Sequence, residues 1–441
     1  MLTSFLNPLR FLRKGHILVF LLLLTACHVY GQRYLSEYDS TLFLRDTVRN
    51  YLKRMENLHF SGYIQPQFQR AGSKGARSFE GGDFADSSNN RFLLRRARIK
   101  VDYLLPARNR EFPLAVFTFQ FDITERGAFA RDVFFRLFEP KHHKLSITMG
   151  LFARPYGYEV NLASSVRESP ERGRMSQILM PAERDLGAML SYESKGAPPR
   201  RVQLKWDAGL FNGQGLSGTT DFDSYKDIIG RLRMKPLQVS KRFSVAAGLS
   251  LLYGGWLQAT RYRFQTFKEG GLSVVRVDSS VSNAGSRAPR HYYGGDVQIV
   301  YKHGWGKTEL RAEYWQGKQP GTANSTINPG SLPLVPTYIR RFNGGFFYFI
   351  QSLGNETWEA VLKADWYDPN LRVAGRAINA PAFTAADVKY LTFGGGLTHY
   401  VNRNFKAVVY YNLVRNETTS LPAYMRDRED DVFTFRVQLN F

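Results

Sequence analysis

The sequence predicts an all-β fold, a transmembrane antiparallel β-barrel of about 16 strands with short periplasmic turns and long outer loops. Three observations carry this. An apolar N-terminal stretch reads as an export signal, segments of about ten residues alternate apolar and polar side chains, and the connections between them alternate short and long.

Arg10, Arg13 and Lys14 form a positive region ahead of the apolar run Ile17 to Leu24, and polar residues follow at once. A spanning helix needs about 20 apolar residues, so a signal peptide is expected over residues 1–31. Val29-Tyr30-Gly31 before Gln32 forms a small-residue cleavage site, while Leu24-Thr25-Ala26-Cys27 looks like a lipobox. Cleavage near Gln32 and lipidation of Cys27 are both open. Cys27 is the single cysteine, so no disulfide braces the chain and stability falls to a closed hydrogen-bond ladder. Lys and Arg outnumber Asp and Glu by 60 to 38, a net charge of +22 that calls for an anionic partner. Export removes nucleic acid from the choices. Anionic solutes and the lipid surface of an outer membrane remain.

Residues 32–58 place Leu42, Val48, Leu52 and Met55 at helical spacing, with Asp39 or Ser40 as a cap. A short periplasmic segment, helical or unstructured, is expected there. From residue 59 to 441 the period becomes two. Strands are expected near 59–69, 91–105, 114–124, 131–139, 145–153, 185–194, 201–211, 226–235, 243–257, 290–302, 307–316, 340–351, 357–367, 388–400, 404–415 and 431–441. The connections after even strands are short, and those after odd strands are long and polar except 125–130. In the last strand Phe433, Phe435, Val437, Leu439 and Phe441 alternate with Thr434, Arg436, Gln438 and Asn440. Its terminal aromatic, Phe441, looks like the signal read by the barrel-assembly machinery.

A barrel of this size encloses an aqueous channel, and its inward face decides what passes. Arg96, Arg98 and Lys100 share one face of the second strand, opposite Ala97, Ile99 and Val101. Charge facing lipid costs about 2–4 kcal/mol at the midplane, so the basic face is the lumen. Arg231 and Arg233 repeat the pattern on the eighth strand. Arg136, Lys205, Arg311, Lys363, Lys406 and Arg436 fall on inward phases too, with Glu309, Glu313, Asp207 and Asp365 among them. A lone arginine of this kind reads as a wall residue paired with a carboxylate; a ladder of them reads as an anion path. The third outer loop, 154–184, carries Arg154, Arg167, Arg172, Arg174 and Arg184 against Glu159, Glu168, Glu171 and Glu183. Folded inward, it lines the constriction; left outside, its charges are simply solvated.

The segments Arg154-Pro155-Tyr156-Gly157-Tyr158-Glu159, Ser169-Pro170-Glu171-Arg172-Gly173-Arg174 and Pro181-Ala182-Glu183-Arg184-Asp185-Leu186-Gly187-Ala188 resemble the phosphate-selective porin O and P family. Gly209-Leu210-Phe211-Asn212-Gly213-Gln214-Gly215, Gly394-Gly395-Gly396-Leu397 and Tyr400-Val401-Asn402 are similar to it as well. The resemblance implies a homotrimeric porin with 16 strands that passes phosphate or polyphosphate. Its arginine ladder is matched by Arg96, Arg98, Arg231 and Arg233, while its lysine cluster has no counterpart in loop 154–184.

Passive diffusion of small anions, inorganic phosphate foremost, is the expected function, with no cofactor. A general or sugar-passing porin is the alternative; Trp256 and Trp315 would serve it as path residues, although tryptophan more often marks the membrane interface. A surface adhesin acting through loops 258–289 and 317–339 is a further one. An enzyme is not expected. His59, His142, His143, His291, His303 and His399 are scattered, without a nucleophile elbow or metal-ligand spacing.

Overall fold

Alternation of apolar and polar residues gives strands in the computed structural model, which describes residues 57–107, 112–195, 201–218, 220–354 and 357–441. The signal peptide, Cys27 and the expected helical segment up to residue 56 lie outside the described residues. In chain order the strands are β1 (Leu58–Ala71), β2 (Asn90–Pro106), β3 (Pro113–Thr124), β4 (Gly127–Phe138), β5 (Leu145–Ala153), β6 (Arg184–Glu193), β7 (Leu204–Phe211), β8 (Asp227–Gln238) and β9 (Phe243–Leu257). They continue as β10 (Arg263–Glu269), β11 (Leu272–Asp278), β12 (Arg287–His303), β13 (Gly306–Gly321), β14 (Thr337–Leu353), β15 (Trp358–Asp368), β16 (Tyr390–Tyr400), β17 (Phe405–Asn416) and β18 (Val432–Asn440).

All sixteen expected strands are present, each antiparallel to its neighbours in the ring, and β1 pairs with β18 to close it; outside the ring β10 pairs in parallel with the start of β14. Closure leaves no edge to satisfy in lipid. Burial is inverted relative to a water-soluble protein. On β18 the outward Leu439 is 41% exposed while the inward Arg436 is 3% exposed. Ile99 and Tyr103 on β2, Phe347 on β14 and Leu362 on β15 repeat the exposed apolar surface, a belt suited to hydrocarbon.

Two departures from the expected pattern have physical causes. Loop 258–289, a long polar connection in the sequence, contains the hairpin β10–β11. Its two strands fall short of a membrane crossing, and the Gly270-Gly271 turn has positive φ at both residues. The hairpin packs Val275 against a core of Val373, Ile378, Phe383, Val388, Leu421 and Tyr424 in the outer loops. The second departure is local. Register shifts opposite Gln65/Pro66 leave Arg95 unpaired on β2, and shifts opposite Gln120/Phe121 leave Arg131 unpaired on β4. Each is a β-bulge, which re-aims a side chain.

The third outer loop, between Ala153 and Arg184, folds into the barrel. Tyr156, Val160, Met175, Ile178, Leu179 and Met180 form an apolar core with Tyr292, Trp315, Phe342 and Tyr367 of the wall. A short helix, α1 (Arg174–Leu179), contributes three of these loop residues. Trp315 is therefore an interior anchor packed edge-on against Tyr156, and not an aromatic at the membrane interface. Trp256 is buried too.

Candidate functional site

The inward loop is held by its own glutamates, each received by basic groups on a different part of the wall. Near its start, Glu159 accepts from Lys363 Nζ at 3.1 Å, Tyr348 OH at 2.9 Å, Ser176 Oγ at 2.7 Å and the Gly173 amide. Glu313 of β13 accepts the Tyr158 and Glu159 amides and Trp315 Nε1. Arg311 forms a fork on Glu168, at 2.7 and 3.0 Å. Deep inside, Glu171 takes bidentate contacts from both Arg95 and Arg96 and a further one from Arg436, all between 2.7 and 3.1 Å. Removing one partner of such a buried pair costs about 3–5 kcal/mol, so these contacts fix the loop in one position.

The last glutamate sits in a different setting. Glu183 meets Arg131 at 2.6 Å, Arg184 at 3.1 Å and Arg172 at 3.2 Å. Asp132 pairs with Arg184 at 3.0 Å, and Asp122 with Arg98 at 2.9 Å. Burial would raise the Glu183 carboxyl, but Arg131, Arg172 and Arg184 hold it well below the usual carboxylate range. Unlike the Glu171 cluster, this one keeps some contact with solvent.

Burial maps where water reaches the interior. Arg311, Lys363, Lys406 and Arg436, on the wall from β13 to β18, are covered by the loop. Lys100, Asp122, Arg131, Lys205 and Arg233, on the wall from β2 to β8, remain partly exposed. The loop thus seals one side and leaves the water-facing surface along the other. That surface is mixed, with guanidinium and ammonium groups in excess.

The expected site residues divide accordingly. Lys100, Arg136, Arg172, Arg184 and Arg233 lie on the water-facing side, with Arg136 bonded to Thr148 and Arg233 to Asp207. Arg96 and Arg98 are inward as expected, yet buried and paired with Glu171 and Asp122. Arg231 is buried against Asp296 and the Gly157 carbonyl. Three arginines of the loop serve its own fold. Arg154 donates to the Ala182 and Gly213 carbonyls, Arg167 to those of Ser169 and Pro170, and Arg174 stacks over Phe79 and Tyr390. The most informative omissions are Arg95 and Arg131, which strand alternation assigns to the lipid face. Pro66, unable to donate to the ladder opposite Arg95, is the one sequence signal of a bulge there.

No protein-family model and no curated protein matches the sequence. Solved structures resemble it in fold. The outer-membrane channel DcaP of Acinetobacter baumannii aligns with a TM-score of 0.50 and 10% identity, covering 87% of this chain and 97% of that one. The fold is that of an outer-membrane porin. An anion-selective porin from Comamonas acidovorans aligns at a TM-score of 0.48 and 12% identity, over 87% of this chain and 99% of that one. A loop-deletion form of OmpT from Vibrio cholerae gives 0.49 and 9%, over 87% and 99%. The closed barrel with its lipid-facing apolar belt is a protein of the outer membrane.

Proposed function

We propose that this porin passes small anions by passive diffusion, with phosphate or polyphosphate as its foremost solute. The carrying observation is the water-facing side, the wall from β2 to β8 with Arg172 of the loop, where Lys100, Arg131, Arg136, Arg172, Arg184, Lys205, Arg233 and Lys235 outnumber Asp102, Asp122, Asp132, Glu183, Glu193 and Asp207. An anion leaving water finds planar, permanently charged donors along one continuous face. The paired carboxylates keep that field moderate, so an anion enters and also leaves. The resemblance of loop 154–184 to the phosphate-selective porin O and P family supports phosphate as the solute and a homotrimer as the assembly. In this reading the barrel is a channel with no catalytic role.

The test is entry of labelled phosphate into proteoliposomes, compared with a neutral polyol of similar size. Phosphate entering several-fold faster supports the reading, on the steering expected of a basic cleft. Equal rates for the two solutes would make the channel a general one and overturn it.

A further inference from the structure

Glu171 and Glu183 are both carboxylates of the inward loop set among three or more arginines, but they are not equivalent. Glu171 is 2% exposed and bound through two forks, so its arginines form a closed clamp. Glu183 is 16% exposed and takes single contacts: Oε1 from Arg131 Nη2 and Arg184 Nη1, Oε2 from Arg172 Nη2. Arg131 Nε and Arg172 Nη1, in the same cradle, make no hydrogen bond. Two donors without a partner therefore stand against one such acceptor, Asp122 Oδ1. The backbone of Glu183 is fixed separately, its carbonyl accepting from the Arg154 amide. Its carboxylate is bound by side chains alone, so moving it breaks no backbone hydrogen bond of the loop.

Resting on the anion-channel reading, we infer that Glu183 is a tethered counter-anion. Its carboxylate occupies the Arg131–Arg172–Arg184 cradle when no solute is there, and a small permeating oxyanion, phosphate or carboxylate, displaces it. The two carboxylate oxygens already stand where two oxygens of such a solute would accept hydrogen bonds, and the unpartnered donors take a third. Four guanidiniums (Arg98 included) face Asp122, Asp132 and Glu183, so the cradle carries a single excess positive charge while Glu183 is home. A resident competitor weakens solute binding and speeds release, which conduction requires.

The experiment is block of chloride current by inorganic phosphate through the full-length protein in planar bilayers. Wild type is compared with Glu183→Gln and with Glu269→Gln, the same charge change on the outer hairpin. Glu183→Gln is expected to lower the half-blocking phosphate concentration about tenfold, since a nearby negative charge is lost. Glu269→Gln should leave it unchanged. Should Glu183→Gln fail to fold, Glu183→Asp keeps the charge on a shorter arm and should lower the half-blocking concentration by about threefold. An unchanged or raised value in the folded variant overturns the tethered-anion role while leaving an anion-selective wild type intact. A wild type with neither anion preference nor phosphate block overturns both readings.

Discussion

Glu171 and Glu80 lie in the same arginine-rich interior and respond to protons in opposite ways. Burial would raise the Glu171 carboxyl, but Arg95, Arg96 and Arg436 hold it well below the usual range. Its stabilising contribution is present above the unfolded carboxylate pKa of about 4.3 and is lost only in stronger acid. Glu80, in the first outer loop, has one oxygen without a partner. Burial, and next the charge of Glu171, push its carboxyl up to about 7. Between about pH 4.3 and 7 the folded state then binds more protons than the unfolded one, so stability falls as pH rises. The thermal midpoint of the detergent-solubilised barrel should be higher at pH 5 than at pH 8, and Glu80→Gln should flatten that difference. A slope unchanged in the variant would remove Glu80 as its cause. At this scale the sequence spoke unevenly. Arg96, Arg98 and Lys100 were legible because the strand period is two. Arg95 and Arg131 were not, because a bulge shifts the phase by one residue and only Pro66 hints at either.

Among elements, the strands follow from alternation alone, since each must show an apolar face to lipid. The inward path of the third loop does not, because its anchors come from distant strands. Gly157 shows the constraint. It has φ +71°, and an added Cβ would lie 2.5 Å from the Trp315 ring and 2.7 Å from Glu313 Oε1. Gly157→Ala should therefore cost roughly 1–3 kcal/mol and lift the loop from its seat, through overpacking and backbone strain. Single-channel recording should show a larger, noisier conductance with the barrel still assembled. A conductance identical to wild type would mean that the loop does not set the constriction. The hairpin β10–β11 escaped the sequence reading for a related reason. Its alternating strands are too short to look like membrane crossings, and they meet each other, the start of β14 and the outer loops.

Across the whole molecule, a net charge of +22 states only that the partner is anionic. The fold converts that surplus into direction. The inward loop spends several wall cations on its own glutamates and leaves the remainder facing water along β2 to β8. Charge in the composition was thus a poor guide to charge in the path, and pairing geometry is what separates the two. Under the proposed function the uncovered side selects anions. Its most direct test is the reversal potential of the purified protein in a planar bilayer under a potassium chloride gradient. The proposed function predicts a potential displaced toward chloride, with chloride several-fold more permeant than potassium, and a preference that weakens at high salt as the wall charges are screened. A reversal potential at zero, or displaced toward potassium, would contradict it.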